Sequence, residues 1–239
     1  MRQLENLVAI FLDSCRYDTF MMAEKKHIDS LNTEIYKAYS PAAWTVPSMT
    51  AYVFGTPPMN IPNEYRQTLF LHKEGEDIRR IFRFTHFLTP NPYVLKLRKT
   101  VFTFFDDMRG LEYDYVFSCN AIFNDAIKIM ESERRFIIFM LLMETHDPYW
   151  DGSRKHSFLG IRSRDEFLKI QSKAVEVVDK YIGSLLNKIP EKTRLIISSD
   201  HGELFEDVDG RRLMHHNLTR SYIEFHPKLF EIPFLVKDF

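Results

Sequence analysis

The stretch Arg194-Leu-Ile-Ile-Ser-Ser-Asp-His-Gly-Glu203 combines a short apolar run with a polar end. Its apolar part, Leu195 to Ile197, is rich in branched residues and too short for a helix, so it predicts a buried strand. Asp200 and His201 then offer an oxygen and a nitrogen ligand side by side, which zinc or manganese accepts. Gly202 lets the backbone turn without a side chain in the way. An isolated Asp-His pair is more typical of an ordinary loop, so its meaning depends on the rest of the chain.

Two further apolar runs end in the same way. Leu7 to Leu12 is followed by Asp13, and Phe136 to Met143 leads into a short polar segment that contains His146. Continuous apolar runs are typical of parallel strands that are buried on both faces. We therefore expect the three runs to be neighbouring parallel strands, with their polar ends on one edge, where open α/β sheets bind ligands. Taken alone, Asp13 is more typical of a helix N-cap than of a ligand.

Helical patterns alternate with these strands. Apolar residues at helical spacing predict helices from Asn120 to Glu133 and from Arg164 to Lys188. Further strands are expected from Thr33 to Tyr39 and from Ile232 to Val236. This alternation predicts the α/β class, with residues 1–239 as a single domain built on a largely parallel central sheet flanked by helices.

The tract from Thr56 to about Tyr115 is less informative, because five prolines divide it into short pieces. It contains two short basic stretches, Arg79 to Arg83 and Lys96 to Lys99. Stretches of this kind are typical of solvated faces, although one of them could hold an anionic group of a substrate.

Thr45 precedes a predicted helix in which Pro47 suits the first turn and Gly55 suits the end. Unpaired amides and the macrodipole favour an anion at such a position. The alternative is that Thr45 or Ser48 only caps the helix. A metal ion held by the acids and the histidine at the strand ends could lower the pKa of the Thr45 hydroxyl and make it a nucleophile.

Composition excludes several classes of function. The chain has 239 residues, enough for one sizeable core, and a net charge of −1 gives no field that favours nucleic acid or an anionic membrane. No apolar run reaches the length of a membrane span. The only cysteines, Cys15 and Cys119, do not form a disulfide framework, which favours a reducing compartment. We therefore expect a cytoplasmic protein without a membrane span.

Four ordered motifs resemble those of the alkaline phosphatase/sulfatase superfamily, over about Leu7 to Val236. They are Asp13-Ser-Cys-Arg-Tyr-Asp18, Trp44-Thr-Val-Pro-Ser-Met49, His146-Asp-Pro-Tyr149 and Ser199-Asp-His-Gly-Glu203. The resemblance implies an alkaline-phosphatase-like fold and a divalent metal, zinc or manganese. It implies that the metal ligands are Asp13, Thr45, Asp200 and His201. Thr45 would also be the nucleophile, while His146 would contact the transferred group or protonate the leaving group.

The resemblance leaves two ligand assignments open. A histidine downstream of the Asp-His motif would be either His215 or His216, and the spacing favours His215. Members with two metals add an Asp-x-x-x-His pair, to which Asp151 and His156 come close with one residue too many. One ion is therefore expected, and a second stays open.

Departures from the sulfatase pattern favour the phosphotransfer branch. Sulfatases oxidise a cysteine or serine to formylglycine where this chain has Thr45, and threonine cannot give that aldehyde. They also have paired acids where this chain has Asp13-Ser14, and Cys15 lies in the wrong motif to replace the nucleophile. The chain thus resembles phosphoethanolamine and phosphoglycerol transferases and nucleotide phosphodiesterases.

The resulting hypothesis is a metal-dependent phosphoester hydrolase or phosphotransferase with a threonine nucleophile. Its expected partner is a small-molecule or a lipid- or sugar-linked phosphoester substrate. The alternatives are a sulfate-ester hydrolase and a catalytically silent domain that binds an anionic ligand or partner.

Overall fold

Three apolar runs form the centre of a seven-stranded sheet in the computed structural model, which describes residues 4–54, 82–99, 102–110, 112–115, 117–205 and 226–239. The strands of this part of the chain are β1 (Asn6–Leu12), β2 (Tyr36–Tyr39), β3 (Phe84–Leu88), β4 (Asp107–Arg109), β5 (Phe136–Leu142), β6 (Tyr149–Trp150), β7 (Lys155–His156), β8 (Thr193–Ser199) and β9 (Glu231–Asp238). The order in the sheet is β2-β9-β8-β1-β5-β3-β4, while β6 and β7 form a separate hairpin.

Six helices are described alongside the strands. They are α1 (Tyr17–Met22), α2 (Lys26–Asp29), α3 (Thr45–Phe54), α4 (Pro92–Lys96), α5 (Cys119–Ser132) and α6 (Arg164–Leu186), with short 3-10 turns at Phe158–Gly160 and Pro227–Leu229. The two long predicted helices are therefore confirmed with small changes at their ends. None of the helices in the described ranges is long and apolar enough to cross a bilayer.

Strand β1 lies between β5 and β8 and is parallel to both. Ile10 is paired with Met140 on one side and with Ile197 on the other. The prediction of three neighbouring parallel strands is confirmed. Their carboxyl ends, and hence the residues that follow them, meet at one edge of the sheet.

Both faces of the sheet are covered, which explains why the central strands are apolar throughout. On one face, Ile10 packs in a cluster with residues of α5 and α6, such as Phe123 and Ile182. On the other face, Phe11 packs with Met49 of α3 and with a group of phenylalanines that includes Phe87, Phe102, Phe105 and Phe139. The expected α/β class with a largely parallel sheet is confirmed, and the boundaries of a single domain at 1–239 stay a prediction.

The edges of the sheet differ from the sequence-based picture. The predicted C-terminal strand is β9, which runs antiparallel between β8 and β2. The strand expected from Thr33 begins only at Tyr36. Strands β3 and β4 come from the proline-rich tract for which the sequence predicted no elements, and they extend the parallel part of the sheet beyond β5.

Candidate active site

Two acids and a histidine converge at the carboxyl ends of β1 and β8. Asp13 follows β1, while Asp200 and His201 follow β8, and all three side chains are fully buried. One potential ligand atom of each lies within 4.8 Å of the others. Nε2 of His201 lies 3.7 Å from Oδ1 of Asp13 and 3.5 Å from Oδ2 of Asp200. We call these three residues the ligand cluster.

Thr45 is the first residue of α3 and brings a hydroxyl to this cluster. Its Oγ1 donates to Oδ2 of Asp13 at 3.3 Å and lies 3.4 Å from Nε2 of His201. The residue is buried, with 7% of its surface exposed. The structure therefore places the four residues Asp13, Thr45, Asp200 and His201 in one group.

The backbone beyond β8 fixes the orientation of His201. Nδ1 lies 2.7 Å from the carbonyl oxygen of Gly202, to which it can donate, so that Nε2 presents its lone pair to the cluster. Burial lowers the pKa of His201, which favours the neutral imidazole. The amide of Gly202 donates to the carbonyl of Leu229 at 2.7 Å. A Cβ at Gly202 would meet the carbonyl oxygen of Lys228 at 2.0 Å, so close packing requires the glycine here.

Asp200 carries a buried oxygen that lacks a donor. Its Oδ1 accepts hydrogen bonds from the backbone amides of Ser14 at 3.0 Å and His201 at 2.8 Å. Within the described ranges, no hydrogen-bond donor reaches its Oδ2. Burial, and then the negative charge of Asp13, raise the pKa of Asp200 well above its ordinary value.

This environment fits a divalent cation. Two buried carboxylates side by side are costly unless a positive charge compensates them. The oxygen–oxygen–imidazole donor set suits zinc or manganese. A histidine that donates its other ring N–H to a backbone carbonyl, as His201 does to Gly202, is also typical of metal ligands.

Asn91 is a site residue that the sequence did not indicate. It follows β3, and its Nδ2 donates to Oδ2 of Asp13 at 3.0 Å. Its Oδ1 accepts from the amides of Tyr93 and Val94 and so caps α4. An Asn-Pro pair ahead of a short helix is a recognisable N-cap signal, but the contact with Asp13 depends on the fold.

Gln171 links two of the loops that carry site residues. Its Nε2 donates to the carbonyl oxygens of Ser14 and Thr145, both at 3.0 Å. Its Oε1 accepts from the amide of Arg16 at 3.3 Å and the hydroxyl of Thr19 at 2.6 Å. The side chain is fully buried within α6, where the sequence pattern showed only an amphipathic helix.

His146 follows β5 on the same edge of the sheet. Its Nδ1 lies 2.6 Å from the carbonyl oxygen of Asp147, and its ring meets the ring of Tyr115 edge-on at 6.4 Å. Burial lowers the pKa of His146, but the negative charges of Asp13 and Glu203 outweigh burial and leave the pKa raised. The imidazole is thus suited to carry a proton beside the anionic cluster.

The sequence offered two further sets of ligand candidates. His215 and His216 fall outside the described residues. Nε2 of His156 lies 2.6 Å from Oδ2 of Asp151 within the β6–β7 hairpin, and the loop amides of Ser153 and Arg154 donate to the other oxygen of Asp151. In the described part of the chain, the ligand cluster is the only metal-ligand group of three such side chains.

Cys15 is fully buried, and burial raises the pKa of its thiol above the ordinary range. A thiol that stays protonated is a poor nucleophile. The environment of Cys15 therefore agrees with the expectation that it does not replace the threonine.

The sulfatase family model matches residues 82–238, which is well over half of the chain. The protein therefore belongs to the sulfatase family, and the predicted membership of the alkaline phosphatase/sulfatase superfamily is confirmed. A comparison with curated protein sequences gives no match.

Several solved structures have a similar fold. One is the C-terminal periplasmic domain of phosphoethanolamine transferase EptC from Campylobacter jejuni, with a TM-score of 0.72 and 14% identity, covering 98% of this chain and 79% of that chain. The zinc complex of the corresponding EptC domain from Escherichia coli has a TM-score of 0.68 and 15% identity, and the match covers 100% of this chain and 74% of that chain. The soluble domain of lipooligosaccharide phosphoethanolamine transferase A from Neisseria meningitidis has a TM-score of 0.69 and 12% identity, and the match covers 99% of this chain and 77% of that chain. At these identities the likeness shows the fold.

The expected cytoplasmic location is wrong. The EptC structures to which the chain is similar in fold are periplasmic domains, and this finding contradicts the cytoplasmic expectation. The argument from cysteine usage failed because Cys15 and Cys119 are both buried and unpaired. Two sealed, protonated thiols are compatible with an oxidising compartment as well as with a reducing one.

Proposed function

We propose that the protein is a metal-dependent phosphoester hydrolase or phosphotransferase in which Thr45 is the nucleophile. The observation that carries this proposal is the position of Thr45 Oγ1, 3.3 Å from Oδ2 of Asp13 and 3.4 Å from Nε2 of His201. A simple helix cap has no need of a buried acid and an imidazole around its hydroxyl. The names of the similar structures, which are phosphoethanolamine transferases, support phosphoryl transfer over sulfate chemistry.

The residues that would hold the ion are Asp13, Asp200, His201 and Thr45 itself. The zinc complex of the Escherichia coli domain favours zinc, while the donor set also accepts manganese. When bound, the ion supplies the positive charge that lowers the pKa of the threonine hydroxyl and offsets the charge of the phosphoryl group. His215 remains a proposed additional ligand from the sequence alone.

The first half of the reaction transfers the phosphoryl group to the protein. The Thr45 hydroxyl loses its proton to solvent, and its oxygen forms a bond to phosphorus while the bond between phosphorus and the leaving oxygen breaks. Backbone amides at the start of α3, a helix of ten residues, stabilise the charge on the transferred group. His146 gives its proton to the leaving oxygen.

The second half restores the threonine. Water or an acceptor alcohol attacks the phosphothreonine, the bond between phosphorus and Oγ1 breaks, and the threonine oxygen regains a proton. The incoming oxygen loses its proton to His146, which returns that residue to its starting state. Water as acceptor gives hydrolysis, and an alcohol on a small molecule, lipid or sugar gives transfer.

Metal analysis of the purified protein, combined with a screen of phosphodiester, phosphomonoester and sulfate-ester substrates, tests the proposal. We expect one equivalent of metal and turnover of a phosphodiester. Thr45→Ala should remove nearly all turnover, whereas Thr45→Ser should keep a measurable part. Thr50→Ala, which changes a buried threonine in the same helix whose hydroxyl donates to the carbonyl of Val46, is the matched control.

Three results would contradict the proposal. If Thr45→Ala lowers the free energy of unfolding by about 1 kcal/mol but the variant still turns over a phosphodiester, Thr45 is a structural residue. Preferential cleavage of sulfate esters would support the sulfatase alternative. Protein that binds no metal and turns over none of the substrates would support the silent domain.

A further inference from the structure

A cavity of about 530 Å³ lies beside the proposed active site, between α4 with its following turn and the residues Gly110, Tyr113 and Tyr115. Its wall includes Pro90, Leu95, Tyr113 and Tyr115, and its rim includes the cations Lys96, Arg98 and Lys99. We call it the α4 pocket. A volume of this size falls within the range of small-molecule sites, so it can hold more than a bare phosphate ion.

The α4 pocket and the ligand cluster share a wall. Pro90 and Pro92 line the pocket, and Asn91 between them donates to Oδ2 of Asp13 at 3.0 Å. Tyr115 lines the pocket and also meets the ring of His146 at 6.4 Å. The α4 pocket therefore lies next to the site residues Asp13 and His146.

The described lining of the α4 pocket is positively charged. Among the described residues that line it are three cationic side chains and no carboxylate. In the described part of the chain, no acid forms an ion pair with Lys96, Arg98 or Lys99, and the ammonium of Lys96 lies 5.6 Å from the ring centre of Tyr93.

Of the carboxylates near the pocket, that of Glu112 accepts from the amide of the lining residue Gly110 at 3.3 Å, and two others pair with cations outside the lining. Asp107 pairs with Arg109 at 2.7 Å, and Asp125 pairs with Lys128 at 3.1 Å. Burial raises the pKa of Tyr115, so this ring stays neutral and does not offset the positive charge. Three cations around a cavity, none of them in an ion pair with a described acid, favour a dianion such as a phosphate monoester.

We propose that the α4 pocket binds a second anionic group, of the phosphate-monoester class, on the part of the substrate attached to the transferred phosphoryl group. This inference rests on the proposed function and deepens it by naming a class of substrate. Such a substrate is a phosphodiester in which the organic group on the transferred phosphate carries an additional phosphate monoester. This organic group is no larger than a single ring. The three cations bind the additional phosphate, and the prolines and tyrosines contact the organic group.

The test compares two substrates that differ only in the second phosphate. They are the para-nitrophenyl phosphodiester of glycerol and the same compound with a phosphate monoester on the distal hydroxyl. We expect the wild type to have a higher kcat/KM for the bisphosphorylated compound. In a Lys96→Ala/Lys99→Ala variant this preference should fall about tenfold or more, because two charged contacts are lost. Lys180→Ala removes an exposed lysine of α6 and is the matched control, which should keep the full preference.

A wild type without this preference, or a preference that survives in the double variant, would overturn the inference. Inorganic phosphate is added as a third arm. If free phosphate inhibits the simple diester in the wild type but not in the double variant, and the substrate preference is absent, the pocket takes a free anion and the inference about the substrate fails.

A binding experiment tests this inference independently of the proposed function. Calorimetry with glycerol monophosphate and glycerol bisphosphate is carried out in a Thr45→Ala background, where no chemistry is needed. Tighter binding of the bisphosphate that disappears on adding Lys96→Ala/Lys99→Ala supports the pocket, even if the wild type turns over neither diester and the proposed function fails. Equal binding of the two compounds overturns the inference.

Discussion

The side-chain amide of Asn91 donates to Oδ2 of Asp13 at 3.0 Å and so joins the end of β3 to the end of β1. The same oxygen accepts the hydroxyl of Thr45 at 3.3 Å, while Oδ1 of Asp13 faces His201. Asn91 thus fixes the orientation of the Asp13 carboxylate, in which one oxygen contacts Thr45 and the other faces His201. It acts as a positioning residue for the ligand cluster, supplied by a tract in which the sequence predicted no helix or strand.

Asn91→Ser should weaken metal binding about 10- to 100-fold, as is typical when the hydrogen-bond partner of a ligand is lost. Serine still offers an oxygen that can cap α4, but it is too short to reach Asp13. The free energy of unfolding should therefore change little. Zinc affinity by competition with a chromogenic chelator measures the effect, and Asn124→Ala, an exposed asparagine of α5, is the control. Unchanged zinc affinity in Asn91→Ser would show that Asp13 needs no support from this amide.

Asp200→Asn should abolish stoichiometric metal binding and raise the melting temperature of the metal-free protein. The amide keeps an oxygen that can accept from Ser14 and His201, as Oδ1 of Asp200 does now. It also removes one of the two carboxylate charges of the ligand cluster, the one whose pKa burial and Asp13 raise. Metal content and thermal unfolding after chelation measure the two effects. A variant that retains its metal would show that Asp200 is not a ligand.

The sequence predicted the central part of the site because each residue there follows a local signal. Asp13, Asp200 and His201 directly follow apolar strands, and the parallel arrangement of those strands brings them together. Thr45 starts a helix that Pro47 marks in the sequence. These local patterns need only one further assumption, that the strands share an edge.

The supporting residues could not be predicted in this way. The partners of Gln171 lie 157 and 26 residues away, at Ser14 and Thr145, and nothing near Gln171 in the sequence indicates either contact. Strand β4 has three residues, which is too short for a period of two to be recognisable. The compartment was predicted wrongly because two buried cysteines carry no information about redox conditions.

Gln171→Leu should lower the free energy of unfolding by about 2–4 kcal/mol, because it leaves buried backbone groups of Ser14, Thr145 and Arg16 without their partner. Leucine has a similar volume, so a cavity contributes little. Urea unfolding measures the loss, and Lys173→Ala on the exposed face of α6 is the control. A loss under about 0.5 kcal/mol would mean that the loops do not depend on this glutamine.

Asp18 should make the stability of the protein depend on pH in the acid range. Burial alone would raise the pKa of Asp18, but the guanidinium of Arg16, at 2.7 Å, and the ammonium of Lys228, at 3.2 Å, outweigh burial and lower the pKa to about 2. The unfolded value is about 3.9, so the folded state favours the ionised form. The resulting stabilisation is fully present above about pH 5, falls as the unfolded chain takes up protons, and is lost by about pH 2.

Asp18→Asn should therefore lower the free energy of unfolding at about pH 7 by about 1–2 kcal/mol, a figure reduced for the partial exposure of the carboxylate. The gap between wild type and variant should close toward about pH 2, where the wild-type carboxyl is also neutral. Urea unfolding at several pH values measures the gap. Asp29→Asn removes an exposed carboxylate that lies 3.8 Å from Lys25 and should show a difference of less than about 0.5 kcal/mol throughout. A gap for Asp18→Asn that stays constant with pH would mean that the loss comes from packing and not from the charge of Asp18.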